Sequence, residues 1–410
     1  METLAIHGGP KVKTTPFGTG RRFDYAEVQQ LIEALDQNTL FYWYGKKVKE
    51  FTRKFADMYG RKHCVAASSG TGGIHVALGT LGVTEGDEVI VSPVTDMGSI
   101  IGILYQNAIP VFADIDPYTY NIDAASIESK ITDKTKAIQV VHLAGNAADM
   151  DAIMDVAQRH NLRVVEDCAQ SYECFYKGRR AGAIGDIGCF STNDYKHIST
   201  GDGGMIIMDD YALYEKAHRF ADKNYNRLSA DIRVGIEYIA PNYRMSELQG
   251  AVAIAQLDKL EWICARRHEY GERITRGIGG ICGIIPRKVI EGGKSSFYDY
   301  LFRFDEKEAG VSKADFCKAV CAEGVYLGGY GRTCVYEYGL FKNRVGYEGT
   351  HAPFDSKYYG REIVYETGLC PEAEKVVETI CACSVKEFYT DQDIDDIVNA
   401  IQKVARYYNM

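Results

Sequence analysis

Three short stretches of the 410-residue sequence carry residues that could act together in catalysis. The glycine-rich stretch "SSGTGG", residues 68–73, lies between an apolar run and helical text, where backbone N–H groups and a helix dipole can bind a phosphate. Asp167, in "VVEDCAQS", ends an apolar run, and open α/β sheets bind ligands at the carboxyl ends of their strands. Lys196 stands in "NDYKHISTGDGG". Each stretch also has a purely structural interpretation. The glycine-rich stretch could be a turn, Asp167 could cap the next helix, and Lys196 could be a solvated surface lysine.

Taken together, the three stretches meet the requirements of pyridoxal 5′-phosphate. A lysine amine can form a Schiff base with the aldehyde of this cofactor. A buried acid such as Asp167 can pair with the pyridinium nitrogen and keep it protonated, so that the ring accepts electrons. The glycine-rich turn and a hydroxyl such as that of Ser191 can hold the phosphate. The sequence therefore predicts a pyridoxal phosphate site with Lys196 and Asp167 as its catalytic residues.

The elements that must position these residues are short apolar runs that alternate with helical text through the first 250 residues. Runs such as "DEVIVSP" and "GMIIMDD" are continuously apolar, which is typical of strands buried on both faces. Between two such runs, "MDAIMDVAQRHN" has its apolar residues at helical spacing. This alternation predicts an α/β fold with a mostly parallel sheet and helices on both of its faces.

From about Arg244 the pattern changes to a long helical stretch, the strand-like "YDYLFRF", the helical "KADFCKAVCAEG" and a final amphipathic helix. This predicts a smaller C-terminal α+β domain. We therefore divide the chain into an N-terminal arm with a large cofactor-binding domain, residues 1–250, and a small C-terminal domain, residues 251–410. The tyrosine- and glycine-rich segment 328–368 allows no structural prediction.

Composition excludes some classes of function. The formal net charge is -9 and no basic run is present, which argues against binding to nucleic acid or to a membrane surface. The 12 cysteines include no CxxC pair and no His/Cys cluster at zinc spacing, so we expect free thiols and no metal site. The first residues lack the apolar core of a signal peptide, and no apolar run is long enough to span a membrane. These features favour a cytoplasmic location.

Seven motifs, in order along nearly the whole chain, resemble the DegT/StrS family of fold-type-I, pyridoxal-phosphate-dependent sugar aminotransferases. They are "SSGTGGIHVAL", "GDEVIVSP", "IPVFADIDPYTYNID", "VHLAGNAADMD", "VVEDCAQS", "GCFSTNDYK" followed by "TGDGG", and "NYRMSELQGAVAIAQLDKL". The resemblance implies the fold-type-I transferase architecture, with a seven-stranded type of sheet and a smaller C-terminal domain. It also implies an aminotransferase that uses pyridoxal 5′-phosphate.

The same resemblance assigns roles to individual residues. Lys196 would be the Schiff-base lysine and the proton shuttle, Asp167 would bind the pyridine nitrogen, and Gln170 would lie near the phenolic oxygen of the ring. The residues that would hold the phosphate are Gly70, Thr71, Gly72 and Ser191. Asn242, in "PNYRM", resembles a residue that reaches the phosphate of the neighbouring subunit, which implies an obligate homodimer with shared sites.

Two positions depart from the family pattern. The family places an aromatic residue over the cofactor ring, but this chain has "PVTDM", so Met97 takes the stacking position and Asp96 takes that of a threonine. A thioether can pack on the edge of a ring, so cofactor binding is still expected. Asp202 replaces the usual glutamate of the "TGDGG" motif and conserves its charge.

The resemblance implies transfer of an amino group from glutamate or glutamine to the ketone of a keto-cyclitol or of a nucleotide-linked keto-sugar. The opening "IHGGPKVKTTPF" is more similar to the cyclitol and aminobenzoate branch. Three alternatives stay open. A sugar dehydratase of this family would replace the lysine with histidine, whereas Lys196 is present beside His197; an aminobenzoate-type synthase would aminate a keto-cyclitol and then eliminate water; and a non-enzymatic regulator on this fold would have lost the lysine or the acid.

Overall fold

The computed structural model describes residues 2–231, 235–331 and 333–410. The strands are β1 (His63–Ala67), β2 (Glu88–Val91), β3 (Ile109–Phe112), β4 (Thr135–Val141), β5 (Arg163–Asp167), β6 (Phe175–Tyr176), β7 (Arg179–Arg180), β8 (Ile187–Ser191), β9 (Gly204–Met208), β10 (Ile284–Pro286), β11 (Gly293–Lys294), β12 (Tyr300–Phe304) and β13 (Ile380–Cys383). None of the described helices combines the length and the apolar content that a membrane-spanning segment requires.

The α-helices are α1 (Tyr25–Asp36), α2 (Lys47–Tyr59), α3 (Gly70–Thr80), α4 (Met97–Tyr105), α5 (Ala124–Lys130), α6 (Met150–Arg159), α7 (Tyr211–Phe220), α8 (Glu247–Ile278), α9 (Glu306–Ala309), α10 (Lys313–Ala322), α11 (Gly339–Lys342), α12 (Pro371–Thr379) and α13 (Asp391–Tyr407). Single 3₁₀ turns lie at Ala5–His7, Leu143–Gly145 and Val335–Glu337.

The central sheet has seven strands in the order β1-β9-β8-β5-β4-β2-β3. Neighbouring strands from β8 to β3 are parallel, whereas β9 is antiparallel to both β8 and β1. Within this sheet, β9 therefore runs against the other six strands. The predicted α/β fold with a mostly parallel seven-stranded sheet is confirmed.

Both faces of the central sheet are covered because its inner strands are apolar on both sides. Val89 and Val91 of β2 belong to one core cluster, together with α3, α4 and α7. Ile90, between them, belongs to a second cluster with α2, α6 and α8. Successive residues of a strand point to opposite faces, so one short apolar run supplies both cores.

The C-terminal part forms a smaller α+β unit. Strands β10, β12 and β13 pair as an antiparallel sheet that packs against α10, α13 and the end of α8. Leu4, near the N-terminus, is fully buried in the same cluster. Helix α8 passes through the predicted boundary between residues 250 and 251 without a break, and the exact division of the chain stays a prediction.

Described residues of the segment 328–368 cover the edge strand β3 of the central sheet. The rings of Phe341 and Tyr365 pack on Phe112 of the edge strand β3, with centroids 5.5 and 5.7 Å away. The Tyr365 hydroxyl donates a hydrogen bond of 2.8 Å to the carbonyl of Pro110 in the same strand. An uncovered edge strand offers unpaired backbone groups to other chains, so this cover protects the sheet from edge pairing.

A buried carboxylate connects the first turns of helices α2 and α8. Glu247, the first residue of α8, is fully buried, and it accepts hydrogen bonds from the N–H groups of Lys47 (2.7 Å) and Val48 (3.0 Å). These are the first two residues of α2, whose own N-cap residue, Lys46, makes no side-chain cap. Glu247 therefore satisfies N–H groups that have no acceptor within their own helix.

We expect Glu247→Ala to lower the free energy of unfolding by about 2 to 3 kcal/mol, because two buried N–H groups lose their acceptor. The matched control is Glu261→Ala, an exposed position on the same helix, which should change stability by less than about 0.5 kcal/mol. Urea denaturation followed by far-UV circular dichroism measures both variants. Equal midpoints for the two variants would show that the Glu247 contacts do not stabilise the fold.

Candidate active site

A cavity of about 470 Å³ opens where β5 and β8 end and where α3 and α4 begin. This is the edge of a parallel sheet at which α/β proteins bind their ligands. The predicted site residues that line the cavity are Gly70, Thr71, Asp167, Gln170, Ser191 and Lys196. The structure thus brings together residues from three separate parts of the sequence.

Lys196 follows β8 and points its amine into the cavity. Its Nζ lies 5.1 Å from the centroid of the Tyr298 ring and makes no hydrogen bond or ion pair with any described residue. Burial lowers the pKa of this amine below its ordinary value, although Asp167, Asp96 and Asp299 oppose the shift. A larger fraction of Lys196 is therefore uncharged at neutral pH, and the uncharged amine is the nucleophilic form.

The backbone at Lys196 is held by Arg22, which lies before helix α1. The Arg22 guanidinium donates to the carbonyl oxygen of Lys196 at 2.9 Å and to that of Asp194. The Lys196 N–H itself donates to the carbonyl of Asn193 at 2.9 Å. These contacts hold the main chain, while the amine has no partner among the described residues and stays available to a ligand.

Asp167 is the last residue of β5 and is 3% exposed. Its Oδ2 accepts a hydrogen bond from the Ser99 hydroxyl (2.7 Å), and its Oδ1 accepts one from the Ala169 N–H (3.0 Å). No ion pair is found for this carboxylate within the described residues. Burial raises the pKa of Asp167 above its ordinary value, and the two hydrogen bonds and Lys196 only partly oppose this. A cationic ligand atom beside Asp167 would stabilise its ionised form and offset the cost of burying the negative charge.

Ser99 is itself held in place. Its hydroxyl lies 2.7 Å from the Thr95 hydroxyl, and its carbonyl accepts a hydrogen bond of 2.6 Å from the Gln139 amide. Ser99 lies in the first turn of α4, and the side chain of Asp96 caps this helix through the Gly98 N–H. The start of α4 is therefore fixed against the acid at the end of β5.

Gln170 follows Asp167 on the turn after β5. Its Oε1 accepts hydrogen bonds from the Ala144 N–H and from the Tyr330 hydroxyl, both at 2.8 Å. Because both donors contact the oxygen, the amide nitrogen is the end that remains to donate into the cavity. The free amide N–H of Gln170 could therefore donate to an anionic oxygen of a ligand whose cationic atom pairs with Asp167.

The opposite end of the cavity can receive a phosphate. Ser69 caps α3 by accepting the Gly72 N–H at 3.0 Å, while the N–H groups of Gly70 and Thr71 have no acceptor within the helix. A Cβ on Gly70 would lie 2.5 Å from the Cβ of Ser191, so only glycine lets the helix start approach the hydroxyl of Ser191 this closely. Free N–H groups, a hydroxyl and a helix dipole form an anion site.

Three of the predicted residues do not line the cavity. Gly72 lies inside the first turn of α3, where its N–H is taken by Ser69. Met97 begins α4, is half-buried and packs against the core on that face of the sheet. Asn242 is exposed and forms an isolated backbone bridge with Asp222. Their predicted roles toward the cofactor stay predictions.

The cavity residues that were not predicted from the sequence include Ser99, Tyr298, Asp299 and Tyr330. Ser99 is one of many serines, and only the fold brings it to Asp167. The other three come from the C-terminal half, where the text has no motif of known chemistry. A tyrosine-rich segment is a weak signal for an aromatic cavity wall, and it does not identify a residue.

The neighbouring acid, Glu166, has a different environment on the other face of β5. It is fully buried and accepts hydrogen bonds from Nε2 of His142 (2.9 Å) and from the N–H groups of Gly182, Ile184 and Gly185 (2.6 to 2.7 Å). Burial alone would raise the pKa of Glu166, but these contacts hold it below its ordinary value. Its acceptors are saturated by the protein, so Glu166 stabilises the loop after β7.

Comparison with known proteins gives the family. The DegT/DnrJ/EryC1/StrS aminotransferase family model matches residues 22–402. The spore coat polysaccharide biosynthesis protein SpsC of Bacillus subtilis is 33% identical over 93% of this chain and 94% of its own. A putative L-glutamine:3-amino-2,3-dideoxy-scyllo-inosose aminotransferase of Streptoalloteichus tenebrarius is 35% identical over 80% of this chain and 79% of its own. GDP-perosamine synthase of Caulobacter vibrioides is 39% identical over 70% of this chain and 76% of its own.

Solved structures agree with this assignment. An aminotransferase from Psychrobacter cryohalolentis superimposes with a TM-score of 0.83 and 29% identity, covering 96% of this chain and 100% of its own. 3-Amino-5-hydroxybenzoic acid synthase superimposes with a TM-score of 0.82 and 26% identity, again over 96% and 100%. With the cavity, the lysine and the buried acid in the positions described above, the chain belongs to the DegT/DnrJ/EryC1/StrS family of pyridoxal-phosphate-dependent aminotransferases.

Proposed function

We propose that this aminotransferase moves an amino group from glutamate or glutamine to the ketone of a sugar-type substrate, a keto-cyclitol or a nucleotide-linked keto-sugar. The observation that carries the proposal is the unpartnered amine of Lys196 in the same cavity as the buried carboxylate of Asp167. Such a pair serves a ligand that offers a carbonyl to the amine and a protonated ring nitrogen to the acid.

The residues of the cavity fit pyridoxal 5′-phosphate. Asp167 would accept the proton of the ring nitrogen, Gln170 would donate its amide N–H to the phenolic oxygen, and Lys196 would bond to the aldehyde carbon. The phosphate would lie on the N–H groups of Gly70 and Thr71, beside the hydroxyl of Ser191. When bound, the cofactor supplies a carbonyl that captures amines and a ring that accepts electrons.

Lys196 would also act as the proton shuttle of the reaction. Its Nζ lies in the cavity, where the free amine would take a proton from the substrate carbon and return one to the acceptor. The lowered pKa of this amine supports the task, because a charged ammonium cannot accept a proton. Asp167 would direct its negative charge toward the ring, and the hydrogen bonds from Ser99 and Ala169 hold its carboxylate in one orientation.

The relatives support both classes of acceptor. The inosose aminotransferase similar to this chain is named for a cyclitol ketone, and the similarity covers more of this chain than that to GDP-perosamine synthase. We favour the cyclitol class on this coverage. The structural similarity to 3-amino-5-hydroxybenzoic acid synthase supports a second candidate, a synthase that aminates a ring ketone and then eliminates water.

We also propose that the enzyme works as a homodimer in a reducing compartment, the cytoplasm. The cysteines are all free thiols in the structure, which suits a reducing environment. Helix α1 exposes an apolar stripe at helical spacing, formed by Tyr25, Val28, Ile32 and Leu35. A stripe of this kind supports burial against a second subunit, and the exposed Asn242 would reach the phosphate of that subunit.

The proposed reaction is tested with a panel of L-glutamine and L-glutamate as donors against a keto-cyclitol and a nucleotide-linked keto-hexose. We expect the acceptor to gain an amine, seen as the product mass, with the keto-cyclitol converted faster. Lys196→Ala is the control, and it should lose both turnover and the cofactor mass that borohydride fixes to the Lys196 peptide. Product without nitrogen, or a reduced adduct on another lysine, would contradict the proposal.

The shared site is tested by mixing two inactive variants, Lys196→Ala and Asn242→Ala. Each proposed site takes Lys196 from one subunit and Asn242 from the other. In a mixed dimer, one site therefore carries both changes and the other carries neither. We expect activity to return to about half that of a wild-type dimer for each mixed dimer. If the subunits exchange, as native mass spectrometry can show, and no activity returns, Asn242 acts within its own subunit.

A further inference from the structure

The two ends of the Gln170 amide have different surroundings. Its Oε1 accepts one hydrogen bond from the Ala144 N–H and one from the Tyr330 hydroxyl, each at 2.8 Å. A carbonyl oxygen has two lone pairs, so these donors occupy both. The amide nitrogen makes no hydrogen bond with any described residue, and Gln170 lines the cavity. The nitrogen is therefore free to donate to a ligand.

The Ala144 N–H, the first donor to Gln170, is held in place by residues of the C-terminal part of the chain. Ala144 has a left-handed backbone, with φ 47° and ψ 39°, which is disfavoured for a residue with a Cβ. The buried Arg287 fixes this turn by donating to the carbonyls of Leu143 (2.8 Å) and Ala144 (3.0 Å). The Tyr298 N–H adds a hydrogen bond of 3.3 Å to the same Ala144 carbonyl. The direction of the Ala144 N–H is thus set from outside its own loop.

The second donor comes from the segment 328–368. Gly328, at its start, forms a two-way backbone bridge with Ala382 of β13, through hydrogen bonds of 3.1 and 2.6 Å. This bridge fixes the chain shortly before Tyr330, whose ring forms part of the cavity wall. The segment that covers the edge of the sheet therefore also delivers a hydroxyl to the catalytic cavity.

We propose that Tyr330 is a positioning residue for the transamination reaction, which holds the Gln170 amide so that its nitrogen donates to the phenolic oxygen of the cofactor. The inference rests on the proposed function, because it needs the cofactor ring to pair with Asp167. A donor on the amide oxygen also polarises the amide and makes its N–H a stronger donor. Tyr330 would then act on the cofactor through Gln170.

The protonation state of Tyr330 agrees with this role. Burial raises the pKa of its hydroxyl far above the ordinary value, and the nearby Asp299 and Tyr298 raise it further, whereas Arg287 and the hydrogen bond to Gln170 lower it. The hydroxyl is therefore protonated at any working pH and can donate. The charged groups near this hydroxyl are Asp299, which also lines the cavity, and the buried Arg287.

The test is a pH titration of the visible absorbance of the holoenzyme. An N–H donor stabilises the anionic phenolic oxygen, so the bound cofactor loses its proton more easily, and removing the donor raises the pKa of the absorbance change. We expect a rise of about 1 pKa unit for Gln170→Leu and of about 0.3 to 0.5 for Tyr330→Phe. Tyr326→Phe, an exposed tyrosine of the same region, is the matched control and should leave the pKa unchanged.

The double variant separates positioning from an independent effect. If Tyr330 acts through Gln170, Tyr330→Phe should add nothing to the shift of Gln170→Leu. Additive pKa shifts in the double variant would overturn the proposal for Tyr330. It would also be overturned if Gln170→Leu shifts the pKa but Tyr330→Phe leaves it as unchanged as Tyr326→Phe does. A Gln170→Leu titration equal to wild type overturns it too, because no amide contact then exists. Loss of the reduced cofactor adduct on Lys196 in wild-type enzyme would instead show that the proposed function fails.

Discussion

A buried carboxylate without a cation is the constraint on which this cavity depends. Asp167 lies at the end of a central strand, is 3% exposed, and has two neutral hydrogen-bond donors against its negative charge. Burial penalises that charge, and Lys196, the nearby amine, is itself driven toward its uncharged form by burial. The two groups therefore cannot fully satisfy one another. A ligand with a protonated nitrogen and a carbonyl, such as pyridoxal phosphate, satisfies both at once.

The fold provides this arrangement by using the two faces of one strand differently. Glu166 and Asp167 are neighbours in β5 and point to opposite faces. Glu166 accepts hydrogen bonds from His142 and from three backbone N–H groups, which fix it within the protein. Asp167 faces the cavity, where Ser99 at the start of α4 orients it. The same strand thus stabilises the loop after β7 through Glu166 and presents Asp167 to the cavity.

Features that are local in sequence could be predicted, and those that depend on distant contacts could not. The alternation of apolar runs predicted the sheet. Gly70 and Asp167 could be recognised because each lies at the junction of an element and a loop, and Lys196 because it stands in a motif that resembles that of the family. Ser99 could not be found, because its role comes from a contact with a residue 68 positions away. Tyr330 could not be found either, because the segment 328–368 has no periodicity and takes its shape from the sheet edge that it covers.

The most direct measurement compares wild type and Asp167→Asn with and without cofactor, by thermal unfolding and by the rate of the donor half-reaction. Asparagine fits the site, since the Ser99 hydroxyl can accept where it now donates. At neutral pH, above the ordinary pKa of an aspartate, the apo wild type carries the cost of the buried charge. The account predicts a variant whose apo form is at least as stable as wild type, which gains less stability from cofactor and reacts about 100-fold more slowly. Equal cofactor stabilisation and wild-type rates would contradict it.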